Sequence, residues 1–187
     1  MALLSRAGRR AFFCGLLMMG VGTFVSVAQE PQAAEPQIKA AFLINFPKYV
    51  DWPAEAFAAT NSPIVIAVLG ETPVAEALQR LIMDRTINGR GLLLRRLAAR
   101  EEIGACHVLF ITAAELQRSP NLLAKPRPSV LTVGESDNFL ESGGVINLAR
   151  RSQKIALEVN VPAAENAGIK ISSKLLNIST VMKGKSK

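Results

Sequence analysis

The chain has 187 residues, with 22 basic and 15 acidic side chains and a single histidine, tyrosine and tryptophan. That length fits one domain with a substantial core. One histidine and two cysteines leave no ligand cluster for a structural zinc, and no P-loop or dinucleotide fingerprint is present.

The first 28 residues read as an export signal (residues 1–28). Arg6, Arg9 and Arg10 form a positive start, Ala11 to Val27 an apolar run, and Ser26-Val27-Ala28 supplies small residues for cleavage after Ala28. An uncleaved anchor is the rival reading, because such a run is marginal for spanning a bilayer. Arg9-Arg10-Ala11-Phe12-Phe13 is similar to a twin-arginine motif, so Sec and twin-arginine export both stay open. Cleavage would remove three arginines and no acid, lowering the net charge from +7 to +4. A modest excess of that size is an ordinary solvated surface and argues against nucleic acid. It would also remove Cys14, leaving Cys106 alone, so no internal disulfide is expected despite an oxidising compartment.

Gln29 to Pro36 reads as a short linker, and the domain proper is taken as residues 37–182, with a fraying basic tail at 183–187. Ile38, Phe42 and Tyr49 recur at helical spacing beside Ala41, Asn45 and Phe46, which predicts an opening helix burying an aromatic face. Trp52-Pro53 should end it, and Pro47 is placed to kink it. Pro63 to Leu69 is a continuous β-branched run, the pattern of a strand covered on both faces. Thr72-Pro73 then caps a helix with Val74, Ala77, Leu78, Leu81 and Ile82 as its stripe. Asn88-Gly89-Arg90-Gly91 predicts a turn and Leu92 to Leu97 a strand.

Cys106 to Ile111 is a further apolar strand, and Thr112 can cap a helix that Pro120 must break. Ser129 to Val133, Gly143 to Ala149 and Lys154 to Asn160 follow as strands, the last alternating and therefore placed towards an edge. A terminal helix is expected from Ser172 or Ser173 through Met182. The fold class is thus α/β: a layered, mostly parallel sheet of about five to six strands with flanking helices and an antiparallel C-terminal pair.

Candidate chemistry is sparse. On a strand, His107 and Cys106 would point to opposite faces and could not act as a base and nucleophile. A core or half-buried role is the default for each. Gly134-Glu-Ser136-Asp-Asn lacks the second glycine of a hydrolase elbow. Glu101, Glu102 and Asp84 lie outside apolar runs, where a general acid would not be tuned. No catalytic residue and no cofactor is assigned.

Gly70, Glu71 and Thr72, at the junction of a strand and a helix N-terminus, are candidates for holding an anion, as are Gly143 and Gly144 before another strand. The competing reading is a capped turn and a glycine pair needed for backbone conformation. Phe46, Tyr49, Trp52 and Phe139 are the candidates for partner contact, because buried aromatics dominate interface energies. Core packing is the competing role for each.

The ordered set Ile38 to Pro53, Cys106-His-Val-Leu-Phe-Ile111, Val130-Leu-Thr-Val-Gly134, Phe139-Leu-Glu-Ser-Gly-Gly-Val-Ile-Asn147, Glu158-Val-Asn160 and Ala167-Gly-Ile-Lys-Ile-Ser-Ser-Lys-Leu-Leu176 resembles the YfiR family. These segments cover nearly all of the chain after the leader. The resemblance implies a periplasmic, non-enzymatic protein that binds and restrains an inner-membrane signalling protein, a diguanylate cyclase above all, and it implies a homodimer. A sensor kinase is an alternative partner. The alternative function is a small-molecule-binding sensor module serving a receptor. The lone Cys106 departs from the cysteine pairs of some members, so redox control through disulfides does not carry over.

Overall fold

Apolar runs bounded by turn residues become the inner strands of a parallel sheet, and the stripes between them become its covering helices. The computed structural model describes residues 31–99, 101–152 and 154–182. The export signal and the basic tail lie outside the described residues.

The chain begins with α1 (Pro31–Asn45), which contains Pro36 and so starts within the stretch read as a linker. A 3-10 turn over Phe46–Tyr49 follows, started by Pro47, which ends the α-helix four residues before Tyr49. After β1 (Val50–Asp51), β2 (Ile64–Leu69) enters the core and leads into α2 (Pro73–Leu81). The Thr72 side chain accepts from the Val74 N–H at 3.3 Å, a capping contact that fixes where this helix starts.

A hairpin of β3 (Thr86–Ile87) and β4 (Arg90–Leu97) turns through Asn88 and Gly89, both at positive φ (51° and 77°). The next unit is β5 (Val108–Ile111) and α3 (Ala113–Arg118), capped by Thr112 and ended just before Pro120. Then come β6 (Leu131–Gly134), β7 (Ile146–Arg151) and β8 (Lys154–Asn160). The chain closes with α4 (Val161–Asn166), β9 (Lys170–Ile171), α5 (Ser173–Leu176) and β10 (Thr180–Met182).

Eight strands form one sheet in the order β10-β8-β7-β6-β5-β2-β4-β3. Six are the strands legible in the sequence, and two short edge pieces, β3 and β10, extend them. The inner pairs are parallel, as in Ile66↔Leu94 and Ile66↔Val108, while β7 and β8 run antiparallel through Leu148↔Leu157. The expected terminal helix lasts only to Leu176. The chain then adds β10 in parallel to β8, so β8 is not the edge strand. A separate two-stranded pair, β1 with β9, ties the segment after α1 to the C-terminal region through Val50↔Ile171.

Alternate strand residues feed two cores. Ile66, Val68, Val108, Phe110, Val133 and Ile146 pack under residues of α1, α2, α4 and α5. Ala67, Leu69, Leu109 and Ile111 pack with Leu116, Leu123, Phe139 and Leu140 on the other face. Fully burying a leucine or phenylalanine contributes about 1.5–3 kcal/mol.

The opening helix is turned differently from the sequence expectation. Its buried face is Lys39, Ala40, Leu43 and Ile44, whereas Ile38 is exposed and Phe42 only half-buried. Apolar residues lie on every side of this helix, so periodicity alone did not tell which side faces in. The buried Lys39 ammonium is held 2.6 Å from both Glu35 and Glu135, and Arg150 reaches Glu35 at 3.3 Å. This network clips α1 to the loop after β6 and to β7.

Candidate functional site

The predicted site residues distribute unevenly among three of the recesses around the sheet. At the N-terminal ends of β5 and β6 the chain builds an aromatic corner beside a broad cleft. The Trp52 indole N–H donates to the Ser129 carbonyl at 3.0 Å. Phe57 stacks on the His107 ring at 4.4 Å, and the Arg90 guanidinium lies over Phe57 at 3.8 Å.

His107 is fully engaged. Its Nδ1 accepts from the Val65 N–H at 3.0 Å, which makes Nε2 the protonated nitrogen, 3.1 Å from the Ala56 carbonyl. Burial pushes its pKa down, and the Arg90 charge adds to this, against the Ala56 hydrogen bond that raises it. β5 starts only at Val108, so the strand alternation expected for Cys106 and His107 does not apply. Both line the same cleft. They still do not pair, because both imidazole nitrogens have other partners. Cys106 is buried, and burial pushes its thiol pKa up, partly offset by Arg127 and Arg95.

The cleft has a volume of about 1120 Å³ and is bounded by Glu55, Cys106, His107, Leu122 and the segment Lys125 to Val130. Nothing in the sequence pattern singled it out, since two irregular loops form most of its wall.

At the opposite end of the sheet, Gly70, Glu71 and Thr72 do share a recess, of about 530 Å³. Glu71, Glu76 and Glu101 line it against one guanidinium, Arg96, which already sits 3.5 Å from Glu76. The Thr72 hydroxyl oxygen occupies the helix N-terminus as its cap. Such a surrounding repels an anion. Gly70 is needed for backbone reasons: its φ is +94°, and a Cβ there would stand 2.6 Å from Thr112 Oγ1.

Gly143 and Gly144 do not line that recess. Gly143 turns the chain at φ +102°, and Gly144 lies against Phe139, where a Cβ would meet the ring at 2.1 Å. Gly134 crowds the same ring, also at 2.1 Å. Phe139 is therefore a wholly buried residue held between two glycines, and Phe46 is buried at 1 % exposure. Phe139 lines none of the three recesses, whereas Phe46 lines the third. Trp52 is half-buried in its corner, and Tyr49 is half-buried at the rim of the third recess.

That third recess is an apolar groove of about 480 Å³ lined by Ile38, Phe42, Asn45, Tyr49, Leu175 and Ile178. Ile178 is 69 % exposed and Ile38 44 %. The Ser172 N–H donates to the Tyr49 carbonyl at 2.9 Å, which locks the two sides of the groove together. Ile38, Phe42 and Ile178 line this groove together, which the sequence reading did not foresee. They carried the right residue types but were assigned inward or to a continuous helix.

Among the described residues, no His, Cys, Asp and Glu side chains group in threes that could hold a metal, and no helix is long and apolar enough to cross a membrane.

The arrangement defines a class: a small α/β domain with an apolar groove against α1 and an open cleft at one end of its sheet. The chain belongs to the YfiR/HmsC-like family, whose model matches residues 36–180. That family is regulatory, and membership suggests a periplasmic regulator of cyclic-di-GMP signalling. No curated protein matches the sequence. Among solved structures, a conserved domain protein from Vibrio cholerae is similar at 15 % identity and a TM-score of 0.49, over 79 % of this chain and 60 % of that one. The present chain thus spans less than two thirds of that relative's length.

Proposed function

We propose that this is an exported, non-enzymatic regulator that binds the periplasmic part of an inner-membrane signalling protein, a diguanylate cyclase above all, and holds it inactive. The observation that carries the reading is the apolar groove between α1 and α5, with Ile38, Phe42, Tyr49 and Ile178 at the surface of a family member. Large apolar side chains gathered in one exposed groove are what a protein contact uses. Tyr49 stays in the proposed contact set. Trp52 lies in the aromatic corner with Phe57 and His107 and is not among the groove residues.

Restraint follows from differential binding. The domain lowers output only if it binds the inactive state of the receptor more tightly than the active one. Moving a two-state equilibrium from mostly active to mostly inactive takes about a 10⁴-fold preference.

The test is genetic and biochemical together. Deleting the gene should raise cellular cyclic-di-GMP, and the wild-type protein should restore it. A folded, exported Ile178→Glu variant should not. Unchanged cyclic-di-GMP on deletion would rule out the cyclase reading.

A further inference from the structure

The cleft at the N-terminal ends of β5 and β6 carries two cations without partners. Lys125 and Arg127 line it, and neither side chain forms an ion pair or hydrogen bond among the described residues. Arg127 is half-buried, and its Nε is shut off from solvent with no hydrogen-bond partner among those residues. One guanidinium nitrogen is thus withdrawn from water unpaired, while the rest of this half-buried group stays open to the cleft, where an oxyanion would supply the missing counter-charge. On its other side Arg127 borders a second recess that holds Glu101, Glu102 and Glu115, yet none of these carboxylates reaches it within ion-pair distance. Glu115 is instead paired to Arg118.

The loop that bears the two cations is built to stay put. The sequence Lys125-Pro126-Arg127-Pro128 places both cations directly before a proline, which biases each towards extended backbone. Ser129, at φ +57°, then closes the segment. Its N–H donates to the Ala167 carbonyl at 2.7 Å, and its carbonyl accepts from Trp52 at 3.0 Å. A rigid loop with unsatisfied cations has met the ordering cost of binding in advance. The remaining wall includes Ala56, Ala105, Leu122 and Val130, so the cleft offers an apolar floor beside its charged rim. Glu55, exposed, is the carboxylate among its lining residues.

We infer that this cleft binds a small organic carboxylate, its head on Arg127 with Lys125 beside it and its apolar body against the alanine, leucine and valine wall. Arginine suits such a head because its planar fork can donate two parallel hydrogen bonds to one carboxylate. The cleft volume of about 1120 Å³ is ample for a ligand of that kind. The inference is independent of the groove and of the partner proposed for it.

Trp52, the only tryptophan in the chain, touches the cleft wall at Ser129 and supplies the readout. The intact protein is titrated with hexanoate, with its neutral isostere hexanamide, and with inorganic phosphate, while Trp52 emission is followed. Hexanoate should give a saturable change in the millimolar range expected of so small a probe. Hexanamide and phosphate should each bind about tenfold more weakly or worse. Arg127→Gln should cost hexanoate about tenfold and Lys125→Gln less, since Lys125 is exposed.

Equal binding of hexanamide would overturn the role of charge, and equal binding of phosphate the role of the apolar wall. No saturation by hexanoate, or an Arg127→Gln variant that binds as well as wild type, would overturn the site. If Arg127→Gln does not fold, the three probes on the wild-type protein still decide.

Discussion

The Val65 backbone N–H donates to Nδ1 of His107 at 3.0 Å, across 42 residues of sequence. With Nε2 facing the Ala56 carbonyl at 3.1 Å, this holds the imidazole in its neutral form between the start of β2 and the preceding loop. Protonation would place a second donor against the Val65 N–H and a positive charge near Arg90. The folded-state pKa is lowered, so the stabilisation is fully present above the unfolded value of about 6.5 and is lost as pH falls through the folded pKa. Urea midpoints measured from pH 8 to pH 5 should therefore decline. In His107→Gln that decline should flatten, at a cost of about 1–2 kcal/mol at pH 8 for the lost contacts. An unaltered pH slope in the variant would assign the acid sensitivity elsewhere.

Phe139 stands between Gly134 and Gly144, each of which would drive a Cβ to 2.1 Å from its ring. Gly144→Ala should destabilise by about 1–3 kcal/mol through overpacking. Phe139→Ala should cost about 3–5 kcal/mol through the cavity it leaves. Combining Gly144→Ala with Phe139→Leu should recover part of the first loss, because the smaller side chain makes room. Chemical denaturation of wild type, Gly144→Ala, Phe139→Leu and the double variant reads the coupling directly. Purely additive losses would mean that the two side chains do not compete for the same space.

Lys39 is the buried charge on which α1 depends. Burial alone would lower its pKa, but hydrogen bonds to Glu135 and Glu35 outweigh that and leave it raised. A raised lysine contributes stability that is intact below the unfolded value of about 10.4 and fades as pH climbs through the folded one. Lys39→Ala leaves Glu135 without its counter-ion and Glu35 with Arg150 alone. The cost should be about 2 kcal/mol, below the 3–5 kcal/mol of a fully enclosed pair because both carboxylates keep some solvent access. Lys39→Met together with Glu135→Gln should be less damaging than Lys39→Ala, as measured by thermal unfolding at pH 7.

The parallel sheet was legible because its strands are short apolar runs closed by a glycine or a capping threonine. Ile64 to Leu69 ending at Gly70 is one example, and Val108 to Ile111 ending at Thr112 is another. What escaped reading shares a different cause. α1 is apolar on every side, so Ile38 and Phe42 could be assigned inward as readily as outward. Ile178 to Met182 carries neither a clean period of two nor of 3.6, and only pairing with β8 makes its last three residues a strand. The partners of His107, the Gly134–Phe139–Gly144 stack and the unpaired Arg127 are all contacts between distant positions. No local pattern encodes them, although His107 was expected in a core or half-buried role and is buried.

The apolar groove yields the last prediction. Ile178 and Ile38 are exposed, so charging them removes little from the folded domain. Ile178→Glu and Ile38→Glu should change stability by no more than about 0.5 kcal/mol, the range of ordinary surface substitutions. The same changes should weaken binding to the receptor's periplasmic segment by about tenfold or more each if these residues anchor the contact. Leu43→Ala is the informative control: Leu43 is wholly buried on α1 and does not line the groove, so the variant should lower stability while leaving affinity close to wild type in whatever fraction stays folded. Calorimetric titration of the purified receptor segment separates the outcomes. Affinity that follows Leu43 instead of Ile178 would mean that the helix must open for its partner, and that the groove is not the contact surface.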